Sequence, residues 1–327
     1  MYKEFDFYDK TNLKSYNLNE SMRYQLNRLA HLDVFTLKHS ENVANMTSKL
    51  CRKLRLNKRF TTYCTMCAYL HDIGKMFIPS EILQKHGKLT EEEYEKMKTH
   101  TTIGHKMCMD DLKLRPYAEG ALSHHEALDG SGYPNGVVKE DLPYEAQIIR
   151  VADEYDAIVS KRQYKTHIDI SETLQILAEK TIPAYKTGRT NAKKPEYSQM
   201  NPQIVQALFE VVEEDVNYEI SCVKGYVKHL EEQIQRLEKL PEYIEGYNTA
   251  ITPRDKKDYK EMIEYTLKKG ETLDNYDKIL QEYKEAYVVK KAQIEKLKSE
   301  IEKIRNIEID NWLKWRNYVR NKYLAYN

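Results

Sequence analysis

Apolar residues recur every three or four positions along most of the chain, which predicts a succession of amphipathic helices. The first pattern runs from about Leu18 to Arg55, is interrupted near His31 to Asp33, and includes Val43, Met46 and Leu50; His39 lies on the same face. A second helix is expected from about Lys58 through His71 and Asp72, stopping at Gly74. The stretch Ile78 to Thr90 is turn-rich, and Thr90-Glu-Glu-Glu93 is a capping box that opens a third helix carrying His100. Further helices are predicted at Tyr117 to Ala127 with His124 and His125, at Tyr144 to Ser160 with Asp153, and at Ser171 to Glu179. Asn201-Pro202 reads as an N-cap followed by proline at the first helical position, starting a helix through Leu208. Two stretches break the periodicity. Ala127 to Leu142 contains LDGSGYPNG, whose Gly and Asn residues permit left-handed backbone. Pro183 to Met200 is polar and basic, with Lys186, Arg189, Lys193 and Lys194, and is expected to be mobile or to act as a lid.

Beyond about Glu213 heptads take over. Ile220, Val223, Val227, Leu230, Ile234 and Leu237 alternate in steps of three and four. A longer series runs Leu273, Tyr276, Leu280, Tyr283, Tyr287, Lys290, Ile294, Leu297, Ile301 and Ile304. Sustained three-four spacing with Glu and Lys between is the coiled-coil signature. Pro241 and Thr252-Pro253 mark turns between these helices. The expected fold class is therefore all-α, with a leader at 1–17, a chemistry-bearing domain at 18–213 and a helical coiled-coil extension at 214–327. The heptads admit two readings, a homodimer through the C-terminal helices, which is the favoured one, or a hairpin folded back within one chain.

Composition narrows the class. Of 327 residues 31% are charged, yet the net charge is only +1, so no global basic field invites a nucleic-acid polymer. Only 11 glycines and 9 prolines fit a helical protein. The five cysteines are scattered and odd in number, which argues for a reducing cytoplasm over a disulfide framework. Cys64-Thr-Met-Cys67 matches C-x-x-C but sits in an apolar helical run, where packing explains it. The N-terminus, MYKEFDFYDKTN, has no apolar run and predicts neither a signal peptide nor a membrane span.

The chemistry-bearing residues are His39, His71, Asp72, His100, His124, His125 and Asp153. Apolar cores do not recruit seven such groups, so packing alone is a poor explanation for the set. Their motifs, LKHSENV, HDIGK, IPSEILQKHGKLTEEE, MKTHTTIGH, HHEALDGSGYPNG and VADEYDAIVSKRQYK, occur in that order between roughly Leu32 and Val211. In this the chain resembles the HD-GYP phosphodiesterases, within the wider HD-domain metal-dependent phosphohydrolases. HD alone is a weak signal; the HHE-DGSGYP block following HDIGK is specific.

The resemblance implies an HD-type helical bundle and a metal-dependent cyclic dinucleotide phosphodiesterase, hydrolysing cyclic di-GMP to linear pGpG and on to GMP. The alternatives are another cyclic dinucleotide such as cyclic GMP-AMP, or a nucleotide-sensing scaffold with output through the coiled coil. It implies one ion held by His39, His71, Asp72 and Asp153 and a second by Asp72, His100, His124 and His125, with Asp72 as the bridge. Nitrogen and carboxylate ligands without thiolate suit iron, manganese, nickel or zinc over calcium or magnesium, without choosing among the four; two divalent ions are expected, iron or manganese first. Lys75 is expected to meet a phosphate oxygen or the leaving group, and Tyr133, Arg162 and Lys165 to contact the nucleotide. Gln163 stands where the family usually has proline, which bears on local rigidity alone. Some family members use a Glu four residues before the first histidine for a third ion. Here that position is Phe35, so two ions are expected, with Phe35 as an apolar wall beside them.

Overall fold

The computed structural model describes residues 20–32, 34–85, 87–160 and 169–307. Among them every regular element is helical, and the single pairing of extended backbone is an isolated bridge between Asp129 and Val138. No helix among the described residues is long and apolar enough to cross a membrane. Contacts divide the chain into two compact units, one running to Val212 and taking in residues from Ile304 on, the other spanning Glu213–Lys303.

The first unit opens with α1 (Glu20–Leu32), α2 (Val34–Lys53) and α3 (Lys58–Leu70). Asn57 caps α3 by accepting the Phe60 N–H at 2.9 Å. After α3 come a 3-10 turn (Ile73–Phe77), the short α4 (Ser80–Leu83), α5 (Glu91–Lys98) and α6 (His100–Asp110). The capping box of α5 is formed in both directions, with Thr90 accepting from the Glu93 N–H and Glu93 accepting from the Thr90 N–H. The expected third helix is thus two helices with a break at Thr99, and His100 is the first residue of the second. α7 (Ala118–Ser123) likewise stops earlier than expected, so His124 and His125 stand in the turn that follows it. The unit is completed by α8 (Tyr144–Ser160), α9 (Ile170–Glu179), α10 (Ala184–Thr187) and the start of α11 (Pro202–Leu237). Asn201 accepts the Gln203 N–H at 3.1 Å, which closes the predicted N-cap.

The core forms where the apolar stripes meet. α2 packs on α3 and α8, and α6 packs on α7. On α2 the buried positions Leu37, Val43, Ala44, Leu50 and Cys51 trace one face, as the sequence pattern requires. On α8 nearly every residue from Ala146 to Asp153 is buried, which makes it the central helix and carries a carboxylate into the interior. Cys51, Cys64, Cys67 and Cys108 are free thiols within this core, and burial pushes the Cys64, Cys67 and Cys108 thiols up; they pack, as the C-x-x-C context predicted.

The second unit contains the rest of α11, α12 (Leu240–Thr249), α13 (Pro253–Thr266) and most of α14 (Tyr276–Ile307). Pro241 and Pro253 sit in the first turns of α12 and α13, and Thr252 caps α13. α11 does not end at Leu208; it is one helix of 36 residues, about 54 Å at 1.5 Å per residue. Of the two readings of the heptads, the described residues show the one not favoured, the hairpin: α11 and α14 run antiparallel within the chain. Tyr287 donates to Glu231 at 2.9 Å, Gln293 to Glu219 at 3.0 Å, and Lys284 pairs with Glu238 at 2.7 Å. Leu237, Leu240 and Ile263 form the core at one end, with Tyr276, Leu280 and Tyr283 packed against them. The apolar seam expected to face a second chain is therefore covered by the chain's own helices.

Candidate metal centre and active site

Five places in the fold bring the seven predicted residues together. His39 comes from α2, His71 and Asp72 from the end of α3 and the turn beyond it, His100 from the first turn of α6, and Asp153 from α8. His124 and His125 join them from the turn after α7. Ligand atoms of His39, His71 and Asp153 lie within 4.8 Å of one another, and so do those of His100, His124 and His125. Asp72 stands between the two sets. Its Oδ2 is 3.3 Å from His71 Nε2 and 3.6 Å from His39 Nε2, while its Oδ1 is 3.4 Å from His100 Nε2 and 4.0 Å from His124 Nε2. One oxygen faces each set, which is the disposition a bridging carboxylate needs.

The donor chemistry fits cations. His71 Nδ1 bonds the Ala68 carbonyl at 2.6 Å, His100 Nδ1 the Met97 carbonyl at 2.7 Å, and His124 Nδ1 the Ala121 carbonyl at 3.0 Å. A carbonyl oxygen can only accept, so each Nδ1 carries a hydrogen and Nε2 is the nitrogen left to face the cluster. Backbone carbonyls behind metal-binding imidazoles orient rings in this way. The Nε2 atoms of His100 and His124 then face each other at 3.2 Å as two lone pairs, a contact that a positive ion would relieve. His71 Nε2 and Asp72 Oδ1 are buried with no hydrogen-bond partner. Buried unsatisfied polar atoms are costly, and here they converge on one space.

Electrostatics divide the histidines. Burial, with the neighbouring rings, holds His124 well below its ordinary value and His125 down at about 3, and burial also lowers His100, so these rings are neutral at pH 7. Burial would lower His39 too, but hydrogen bonds to Asp153 and Asp156 outweigh it and raise that ring to about 10. Burial would likewise raise Asp72 and Asp153; Lys75 and the surrounding histidines hold Asp72 well below the usual carboxylate range, and His39 with His125 does the same for Asp153. Because the folded-state value of His39 lies above 6.5, its contribution to the stability of the metal-free protein is complete below about pH 6.5 and lost as pH rises through 10. A cation that takes the Nε2 lone pair displaces that proton. Metal loading at pH 7 is expected to release about one proton per chain, read as a dependence of the binding heat on the ionisation enthalpy of the buffer; heats identical across buffers would contradict the assignment.

Residues 24–183 match the family described as HD domain. Over 153 residues, 46% of this chain, the sequence is 41% identical to a cyclic di-GMP phosphodiesterase of Thermotoga maritima, covering 42% of that protein. It is 40% identical over 154 residues to the cyclic di-GMP phosphodiesterase response regulator RpfG of Xanthomonas campestris, covering 45% of this chain and 41% of that one. Residues 24–183 are thus similar to HD domains. A third relative, 35% identical over 143 residues, is the 3'3'-cGAMP-specific phosphodiesterase 1 of Vibrio cholerae, with 44% of this chain and 33% of that one covered. The match thus spans about two fifths of the length of the first two relatives. Among solved structures, the HD domain of the Listeria monocytogenes phosphodiesterase PgpH in complex with cyclic-di-AMP aligns with a TM-score of 0.42 and 19% identity, over 58% of this chain and 96% of that one.

Beside the His/Asp set, Lys75 Nζ lies 2.5 Å from Asp72 Oδ2. Tyr133 stacks on His125, with centroids 4.7 Å apart and planes inclined by 27°. Arg162 and Lys165 lie outside the described residues. Phe35 is not an apolar wall: it is 59% exposed.

The roles of three residues were not foreseen from the sequence. Asp156, one turn beyond Asp153 on α8, bonds His39 Nδ1 at 2.7 Å and accepts from Asn42 at 3.0 Å, so a carboxylate fixes the ring of His39 as carbonyls fix those of His71, His100 and His124. Its spacing of three from Asp153 was the available signal. Glu126, 1% exposed, accepts the N–H groups of Asn135, Gly136 and Val137 at 2.7, 3.1 and 2.9 Å and so shapes the loop bearing Tyr133. Arg150 donates to the carbonyls of His125 and Glu126. The basic segment is no lid. Lys193 donates to the Asn135 and Gly136 carbonyls, Arg189 pairs with Asp129 at 3.3 Å, and the Lys194 N–H bonds the Asp129 carbonyl. These groups brace the glycine loop, where Gly130 and Gly136 take left-handed backbone.

Proposed function

We propose that the HD domain is a metal-dependent phosphodiesterase for a cyclic dinucleotide, with cyclic di-GMP as substrate and linear pGpG as first product. The observation that carries this reading is the pair of lone-pair sets on either side of Asp72, one oxygen toward each. His39, His71, Asp72 and Asp153 would hold one divalent ion, and Asp72, His100, His124 and His125 the other. Two such ions, when bound, make water a nucleophile at neutral pH and offset charge on phosphoryl oxygens. Hydrolysis adds water across one P–O3′ bond, leaving a 5′-phosphate and a free 3′-hydroxyl.

The chain's own residues supply position and charge. Lys75, beside Asp72, is placed to exchange its carboxylate contact for a non-bridging phosphate oxygen. Tyr133, stacked on His125, offers an aromatic ring beside the centre, and Arg162 and Lys165 are assigned to guanine and phosphate. The names of the relatives favour cyclic di-GMP and keep 3'3'-cGAMP as a second candidate. The test is side-by-side turnover of cyclic di-GMP, 3'3'-cGAMP and cyclic di-AMP by protein loaded with manganese or iron, with metal analysis expected to give close to two ions per chain. Fully metallated protein that cleaves none of the three would overturn the reading, and a reproducible third ion would overturn the count.

A further inference from the structure

A cyclic dinucleotide carries two bases and two phosphates, and the residues assigned so far do not use the helix in front of the glycine loop. Tyr94, on α5, meets Tyr133 edge-on, with centroids 6.4 Å apart and planes at 80°. Lys98, one turn further along the same helix, places Nζ 4.8 Å from the centre of the Tyr94 ring and 5.7 Å from that of Tyr133. Glu95 holds that ammonium at 2.5 Å. One ring in this row, Tyr133, rests on His125, so the row begins at the His/Asp set and leads outward. At its far end Tyr94 is 46% exposed.

An aromatic face open to water with an ammonium beside it suits a base and an anion. Every nucleobase has a π-face, and stacking on an aromatic side chain is worth a sizeable share of nucleotide affinity. The ammonium supplies the counter-charge for a phosphate oxygen. The platform is also held in place: the capping box fixes the first turn of α5, and Lys85 pairs with Glu93 at 2.5 Å. We propose that Tyr94 and Lys98 form a second nucleotide subsite, the Tyr94 ring taking a purine base and Lys98 the phosphate that is not being cleaved. This rests on the functional reading above and deepens it.

The test is steady-state kinetics of metal-loaded Tyr94→Leu, Tyr94→Phe and Lys98→Ala on cyclic di-GMP, with bound metal and thermal unfolding measured on the same preparations. Tyr94→Leu keeps apolar bulk and loses the ring, so KM is expected to rise roughly five- to a hundredfold while kcat, metal content and unfolding temperature hold. Tyr94→Phe keeps the ring and should retain the wild-type KM. Lys98→Ala should raise KM and flatten its dependence on salt, as expected when a phosphate contact is removed. If Tyr94→Leu and Lys98→Ala both leave KM within about twofold of a wild type that turns substrate over, the subsite is wrong and the functional reading stands. If the metallated wild type cleaves no cyclic dinucleotide, both fall.

Discussion

Asp72→Ala is expected to lower kcat/KM for the cyclic dinucleotide by more than about a thousandfold, a loss of roughly 4 kcal/mol of transition-state stabilisation. The reason is positional. Asp72 has one oxygen 3.3 Å from His71 Nε2 and the other 3.4 Å from His100 Nε2, so its loss removes a donor from both sets and leaves His71 and His100 without the charge between them. Helical content should survive, because no helix is capped by the Asp72 side chain. The measurement is turnover together with metal content; a variant that keeps two ions and a tenth of wild-type activity would show that Asp72 is not the bridge.

Glu126→Ala is expected to cost about 3 kcal/mol or more, since three backbone N–H groups lose their shared acceptor in a buried setting. In thermal unfolding this corresponds to a fall of roughly 6 to 12 °C. The same variant should weaken substrate binding, because the loop that Glu126 gathers carries Tyr133. Glu126→Gln keeps one accepting oxygen and should fall between. An unfolding temperature for Glu126→Ala within about a degree of wild type would mean that the loop is held by other means, such as Lys193 and Arg150.

Much of the fold could be read from apolar spacing, and much of the site from residue type. The capping box at Thr90, the N-cap at Asn201 and the prolines of α12 and α13 are local rules obeyed locally. The breaks at Thr99 and after Ser123 were not legible, because Thr99 and His124 keep right-handed helical backbone angles and the pattern of apolar residues hardly registers the bend. At both, a histidine ring bonds a carbonyl of the preceding turn. The partners of Glu126 lie nine to eleven residues away and are backbone atoms, which no side-chain pattern reports. Asp156 looked like one more acid on a helix until His39 was seen beside it. The basic segment looked mobile because its composition is polar, yet its charges meet main-chain carbonyls of another loop.

Gly74, in the HDIGK motif, has a consequence for the spacing of the centre. A Cβ built there would stand 1.9 Å from the His100 carbonyl oxygen and 2.6 Å from the Gly104 nitrogen. The turn that follows Asp72 therefore lies directly on the first turn of the helix that carries His100, main chain against main chain. The gap between the two histidine sets behaves like a machined clearance with nothing inserted to adjust it. A single methyl group added at Gly74 would act as a shim, prising the Asp72 half of the centre away from the His100 half.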